Sequence, residues 1–175
     1  MNEIFTRKST RVFRDEKVPE EKIRKILQAG MAGPTAVNAR DWFFIVIRER
    51  ENLLRVAEAN GPRANPLKGA DFGVLLCGDL ERAPAASDIF VVDCAIAGQN
   101  MLLEAESLGV GGVWLGTWPN KDRMEAQRKL FSLPETVVPH SVFAFGYPGE
   151  GDVTLRPGRG PKPEWEEDRV HWEKW

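Results

Sequence analysis

The chain has 175 residues, 42% hydrophobic and 29% charged, which fits one soluble globular domain. Its formal net charge is −2 and its pI about 5.8, so no broad basic field invites nucleic acid. No apolar run reaches the ~18 residues of a membrane span, and Asn2-Glu3 opens a segment without the apolar core of a secretory signal. Cys77 and Cys94 sit among apolar residues and read as free buried thiols in a reducing cytoplasm. Together with His140 and His171 they show no metal-ligand spacing.

The predicted elements follow in chain order. Asn2 caps a short helix carrying Ile4 and Phe5. Val18-Pro19-Glu20-Glu21 opens a second, with Pro near the first turn and acids at the positive end of the dipole. Ile23, Ile26 and Leu27 share a face of it, and Gly30, Gly33 and Pro34 end it in a loop. Trp42 to Ile47 reads as a strand and Asn52 to Ala59 as a short helix. Asn60 to Gly69, rich in Gly, Pro and Asn, reads as a loop with room to move. Phe72 to Cys77 is an uninterrupted apolar run, the mark of a buried strand.

Ser87 or Asp88 caps the longest helix, Ile89 to Leu108, which is apolar on most sides and therefore central. Gln99 and Asn100 interrupt it and need partners if buried. Val110 to Leu115 is a strand, Asn120 caps a helix through Leu130, and Ser141 to Tyr147 is the last strand. After Gly149 the chain turns to Gly and Pro, then to a charged tail bearing Trp165, Trp172 and Trp175. This order predicts an α+β fold of mixed α/β layers, with residues 1–148 as one domain and 149–175 as its tail.

Arg7-Lys8-Ser9-Thr10-Arg11 places cations beside hydroxyls, a good cradle for a phosphate monoester. It is neither a P-loop nor a dinucleotide fingerprint, since neither Gly-rich pattern is present. Further on come Pro34-Thr35-Ala36-Val37-Asn38 with Trp42, then Gly111-Gly112-Val113-Trp114-Leu115-Gly116, then Gly146-Tyr147-Pro148. In this order and at these separations the segments resemble the nitroreductase family of flavoenzymes.

The resemblance implies a central mixed sheet flanked by helices, a homodimer, and bound FMN. It implies that Arg7, Lys8 and Ser9 serve the phosphate and ribityl chain. Arg11 would reach the pyrimidine edge of the ring, where a cation stabilises the charge of reduced flavin. Pro34, Thr35, Ala36 and Asn38 match a loop that approaches the flavin from the other subunit. Arg40 and Asp41 stand where the family has Gln-Pro before the Trp. Trp114, Leu115 and Gly116 match the segment beside the isoalloxazine, where glycine permits close backbone approach. Asn65 is a further candidate contact to the ring. Asp93 and the amides at 99 and 100 match a helix at the dimer interface, and a structural role is expected of them.

The segment Arg169 to Trp175 resembles the family's terminus, which would pack on the partner subunit. Glu164 stands where the family places a cation that completes the phosphate site; Lys162 or Arg159 would substitute, Lys162 being nearer. His171 is expected to be structural. The implied activity is ping-pong transfer of electrons from NADH or NADPH, through FMN, to a nitroaromatic, quinone or flavin. Alternatives are a flavin-storing protein, a specialised flavoenzyme of the same fold, and a cofactor-free interaction protein. Neither a nucleic acid nor a membrane is an expected partner.

Overall fold

The structure is a computed structural model that describes residues 2–82, 84–151 and 165–175. Helices α1 (Glu3–Thr6) and α2 (Glu20–Met31) lead into β1 (Trp42–Ile47), α3 (Arg50–Asn60) and β2 (Phe72–Asp79). Then follow α4 (Phe90–Ser107), β3 (Gly111–Gly116), α5 (Lys121–Phe131) and β4 (Val137–Gly146). Short 3₁₀ turns cover Ala36–Asn38, Pro62–Lys68, Pro84–Ile89 and Glu167–Arg169.

The four strands form one sheet in the order β1-β2-β4-β3. Every strand pair is antiparallel. Parallel pairing enters, among the described residues, only where Ser9 bridges Gly112 beside β3. The expected mixed sheet is thus antiparallel throughout its four strands and mixed at that one edge.

Helices cover both faces, which explains the unbroken apolar run of β2. Phe72, Val74 and Leu76 point to one core with Ile23 and Ile26 of α2 and Cys94, Ala97 and Met101 of α4. Leu75 and Cys77 point to the other, with Leu53, Val56 and Ala57 of α3. Both cysteines are free and buried, as expected. Burial pushes the Cys77 thiol up to about 12 and the Cys94 thiol higher still, so neither is a thiolate at neutral pH.

Local signals place most elements. Pro19 immediately precedes α2 and Glu20 and Glu21 occupy its first turn. Asn120 caps α5, its side chain accepting from Arg123 N–H at 3.0 Å. Three expectations are corrected. Residues 62–68 are not a free loop but 3₁₀ turns, because Ala64 and Leu67 are fully buried beneath α3. Neither Ser87 nor Asp88 caps α4; a 3₁₀ turn runs into it and Ile89 takes the cap position. Helix α4 is central but not buried on all sides, since Val92 and Gln99 are exposed. No helix among the described residues is long and apolar enough to cross a membrane.

Candidate active site

Among the described residues strand β3 lies at the end of the sheet, with no strand paired along one of its edges. The backbone of a strand points alternately to its two sides. Thr10 N–H donates to the Gly112 carbonyl at 3.1 Å, so Gly112 faces the open edge. By alternation Trp114 and Gly116 face it too, while Val113 and Leu115 bond to β4.

Each end of this edge is closed by protein. At the Gly112 end lies the basic segment: Ser9 bridges Gly112, and Arg11 Nη1 donates to the Ser9 carbonyl at 2.9 Å. At the other end the Gly116 carbonyl accepts from Asn60 Nδ2 at 3.3 Å and Arg123 Nη1 at 2.9 Å. The two ends stand about 13 Å apart at strand rise. Between them the backbone of Trp114 and the N–H of Gly116 face a cavity of about 350 Å³. Arg11, Asn60, Arg63 and Arg123 complete its lining with residues 113–116, so three arginines and, among the described residues, no carboxylate face it.

The glycines of β3 serve two purposes. A Cβ at Gly111 would meet Thr10 at 2.7 Å, and one at Gly112 would meet Phe145 at 2.7 Å and Leu102 at 2.8 Å. These two glycines admit protein, not a ligand. Gly116 alone of the three has nothing within 4 Å of that position and leaves the edge approachable.

A family model described as the nitroreductase family matches residues 4–147. The chain belongs to the nitroreductase family. A relative from Methanothermobacter thermautotrophicus, provisionally named an NADH dehydrogenase/NAD(P)H nitroreductase, is 46% identical over 174 residues, covering 98% of this chain and 85% of that one. A crystal structure from Parabacteroides distasonis under the same provisional name shares 36% identity with a TM-score of 0.87, covering 99% of this chain and 97% of that one. The FMN reductase [NAD(P)H] of Bacillus subtilis is 26% identical over 171 residues, covering 86% of this chain and 68% of its own length.

In this nitroreductase-family chain the residues expected at a flavin site fall into separate places. Arg7 is half-buried and its Nε is buried with no hydrogen-bond partner among the described residues. Lys8 is exposed, and neither Arg7 nor Lys8 forms an ion pair among the described residues. A buried unpaired guanidinium nitrogen beside a free ammonium and the Ser9 hydroxyl fits a phosphate. Arg11, Trp114, Leu115 and Gly116 are brought together at the cavity. Asn65 is not among them; it lines a neighbouring depression with Leu54, Gly61 and Lys68. Lys162 and Arg159 lie outside the described residues.

Pro34, Thr35, Ala36 and Asn38 do not line this cavity either. Their loop is fastened to α4, where the buried Asp93 accepts the Ala36 N–H. Asp93 therefore has the structural role expected of it. Asp41 is buried beside it, and burial first, then the charge of Asp93, raise the Asp41 carboxyl above its usual range.

Sequence reading missed Asn60, Thr117 and Arg123. Asn60 reads as the first residue of a loop and Arg123 as one more charge on an exposed helix. Only Asn120, a recognisable cap, hints that the start of α5 is fixed. His171 stays in the tail, its ring 4.6 Å from that of Trp175.

Proposed function

We propose that the chain is an FMN-dependent oxidoreductase that draws electrons from NADH or NADPH and passes them to a small acceptor such as a nitroaromatic, a quinone or a flavin. One observation carries this reading: the open edge of β3, with backbone donors and acceptors facing a cation-lined cavity and, at one end, a basic segment whose buried Arg7 Nε has no hydrogen-bond partner among the described residues. A planar heterocycle with its own donors and acceptors satisfies such an edge as a further strand would. When bound, FMN supplies hydride acceptance at N5 and then reduction of a second substrate, a ping-pong cycle.

The chain's own residues supply binding and polarity. Arg7, Lys8 and Ser9 hold the phosphate by charge-assisted hydrogen bonds. Arg11 faces the cavity, and its cation favours a ring that gains negative charge. The N–H of Gly116 donates at the ring. The names of the relatives, which include FMN and NAD(P)H, support cofactor and donor.

The same reading makes the protein a homodimer in which loop 34–38 and the tail at 165–175 reach the other subunit. Ile89 before α4, Val92 on it, Phe5 on α1 and the tryptophans of the tail are exposed in the single chain, more apolar surface than a monomer usually shows. It also makes the protein cytoplasmic, as its reduced cysteines suit.

The test is an absorbance scan after incubation with FMN and removal of unbound flavin. Bands near ~370 and ~450 nm that bleach on adding NADH or NADPH and return with an acceptor support the enzyme. Bands that do not bleach point to flavin storage. A colourless protein removes the flavin reading.

A further inference from the structure

The carbonyl of Gly116 accepts from two side chains on two different helices. Asn60 Nδ2, at the end of α3, donates at 3.3 Å, and Arg123 Nη1, in the first turn of α5, donates at 2.9 Å. Asn60 is in turn held: its Oδ1 accepts from Thr117 Oγ1 at 2.8 Å, and both residues are buried. Arg123 is held at its backbone by the Asn120 cap. Gly61 lies alongside at a φ of +82°, and a Cβ built there would meet the Arg123 guanidinium at 3.8 Å.

Ordinary hydrogen-bond satisfaction does not require this arrangement. A carbonyl at a sheet edge is satisfied by water. Here two helices converge on one oxygen at the last residue of β3, a glycine with no atom within 4 Å of where its side chain would begin. Glycine has the widest backbone freedom of any residue. The Gly116 N–H shares a planar peptide with the Leu115 carbonyl, so the pairing with β4 already aims it; what the convergence adds is a fixed Gly116 carbonyl and, through it, a fixed seat for the Arg123 guanidinium at the cavity.

We propose that Asn60, Thr117 and the Gly116 carbonyl form a positioning clamp that seats the Arg123 guanidinium at the cavity, where its charge biases the site toward the reduced, more negative cofactor. This role rests on the flavin reading above. Asn60 and Thr117 are neutral and serve alignment. Arg123 supplies the charge, because it lines the cavity itself.

The experiment compares the two-electron midpoint potential and visible spectrum of bound FMN in the wild type and four full-length variants. Arg123→Gln keeps a donor but removes the charge. It is expected to weaken binding of reduced relative to oxidised FMN about tenfold, which is a potential ~30 mV lower for a two-electron couple. Arg123→Lys is expected to recover most of that shift. Thr117→Val, isosteric but without the hydroxyl, frees Asn60 and is expected to shift the flavin band and lower the potential, while Thr117→Ser stays near wild type.

Urea unfolding of each variant separates stability from tuning. If Arg123→Gln and Thr117→Val lose stability but keep the wild-type potential and spectrum, the clamp is merely structural and the proposal is overturned. If Arg123→Gln does not fold, the Thr117 pair decides alone. A wild-type chain that takes up no FMN overturns the flavin reading and the clamp together. A wild type that holds FMN beside unshifted variants removes the clamp only.

Discussion

The backbone N–H of Ala36 donates to both carboxylate oxygens of Asp93, at 3.1 and 3.0 Å, and so ties a loop to the central helix. The loop needs tying. Val37, Asn38 and Arg40 have φ of +47°, +56° and +49°, in the left-handed region that L-residues avoid, and Val37 is β-branched. Thr35 Oγ1 adds a second tie, accepting from Arg40 N–H at 3.0 Å.

Asp93→Ala is therefore expected to lower unfolding free energy by about 1–3 kcal/mol, the cost of leaving the Ala36 N–H unpaired. Urea denaturation measures it. An unchanged midpoint would mean that the loop holds its shape without α4.

Asp41 gives a pH signature. Its carboxyl is raised by burial first, then by the charges of Asp93 and Asp79, against a backbone hydrogen bond that lowers it. The folded chain thus holds this proton more tightly than the unfolded chain. Its contribution is favourable at low pH and is lost as pH rises from the ordinary carboxylate value through the raised folded value. Asp41→Asn is expected to lack that loss, seen as a flatter stability profile over the weakly acidic range. A profile parallel to wild type would deny the raised carboxyl.

His140 acts in the opposite sense. Burial lowers it to about 4, partly offset by a backbone hydrogen bond at Val91. It sits among Trp114, Trp118 and Phe90. Between about 4 and the ordinary value near 6.5 the unfolded chain binds the proton better, so stability rises with pH across that window. His140→Gln is expected to remove a rise on the order of 2–4 kcal/mol, read from unfolding curves at successive pH values.

Gly111→Ala tests how the basic segment is seated. The added methyl would lie 2.7 Å from Thr10, which is itself buried. A destabilisation of about 1–3 kcal/mol is expected, with weaker FMN binding because Thr10 carries the cradle with it. Gly69→Ala is the control: nothing lies within 4 Å there, and a change within about 0.5 kcal/mol is expected.

Arg7→Ala is expected to weaken FMN binding by about 1.5–3 kcal/mol, the loss of one charge-assisted contact. A flavin titration reads this as a Kd roughly 10- to 150-fold higher. Equal affinity would dismiss Arg7 as a phosphate ligand.

The elements were legible where their causes are local. Periodicity gives α2 and β1 within a residue or so, because Ile23 and Ile26 must share a face and Trp42 to Ile47 can bury only as a strand. The Asn120 cap marks the start of α5, since a side chain satisfying its own helix end needs no distant partner. The cluster of cations and hydroxyls at 7–11 stands out by composition alone.

What remained hidden depends on pairs far apart in the chain. No local pattern says that β3 ends the sheet with its edge open, for strand order is set by which faces can be buried together. Nor does it say that Gly111 yields to Thr10, or that Leu67 goes under α3 and closes what reads as a loop. The convergence of Asn60 and Arg123 on Gly116 joins residues 56 and 7 positions away. The sequence by itself determined the helices, the strands and the basic segment, because short-range sterics and hydrophobic period suffice for them. Only the tertiary structure decided which backbone groups stay unpaired, because that is a property of the packed sheet and not of any segment within it.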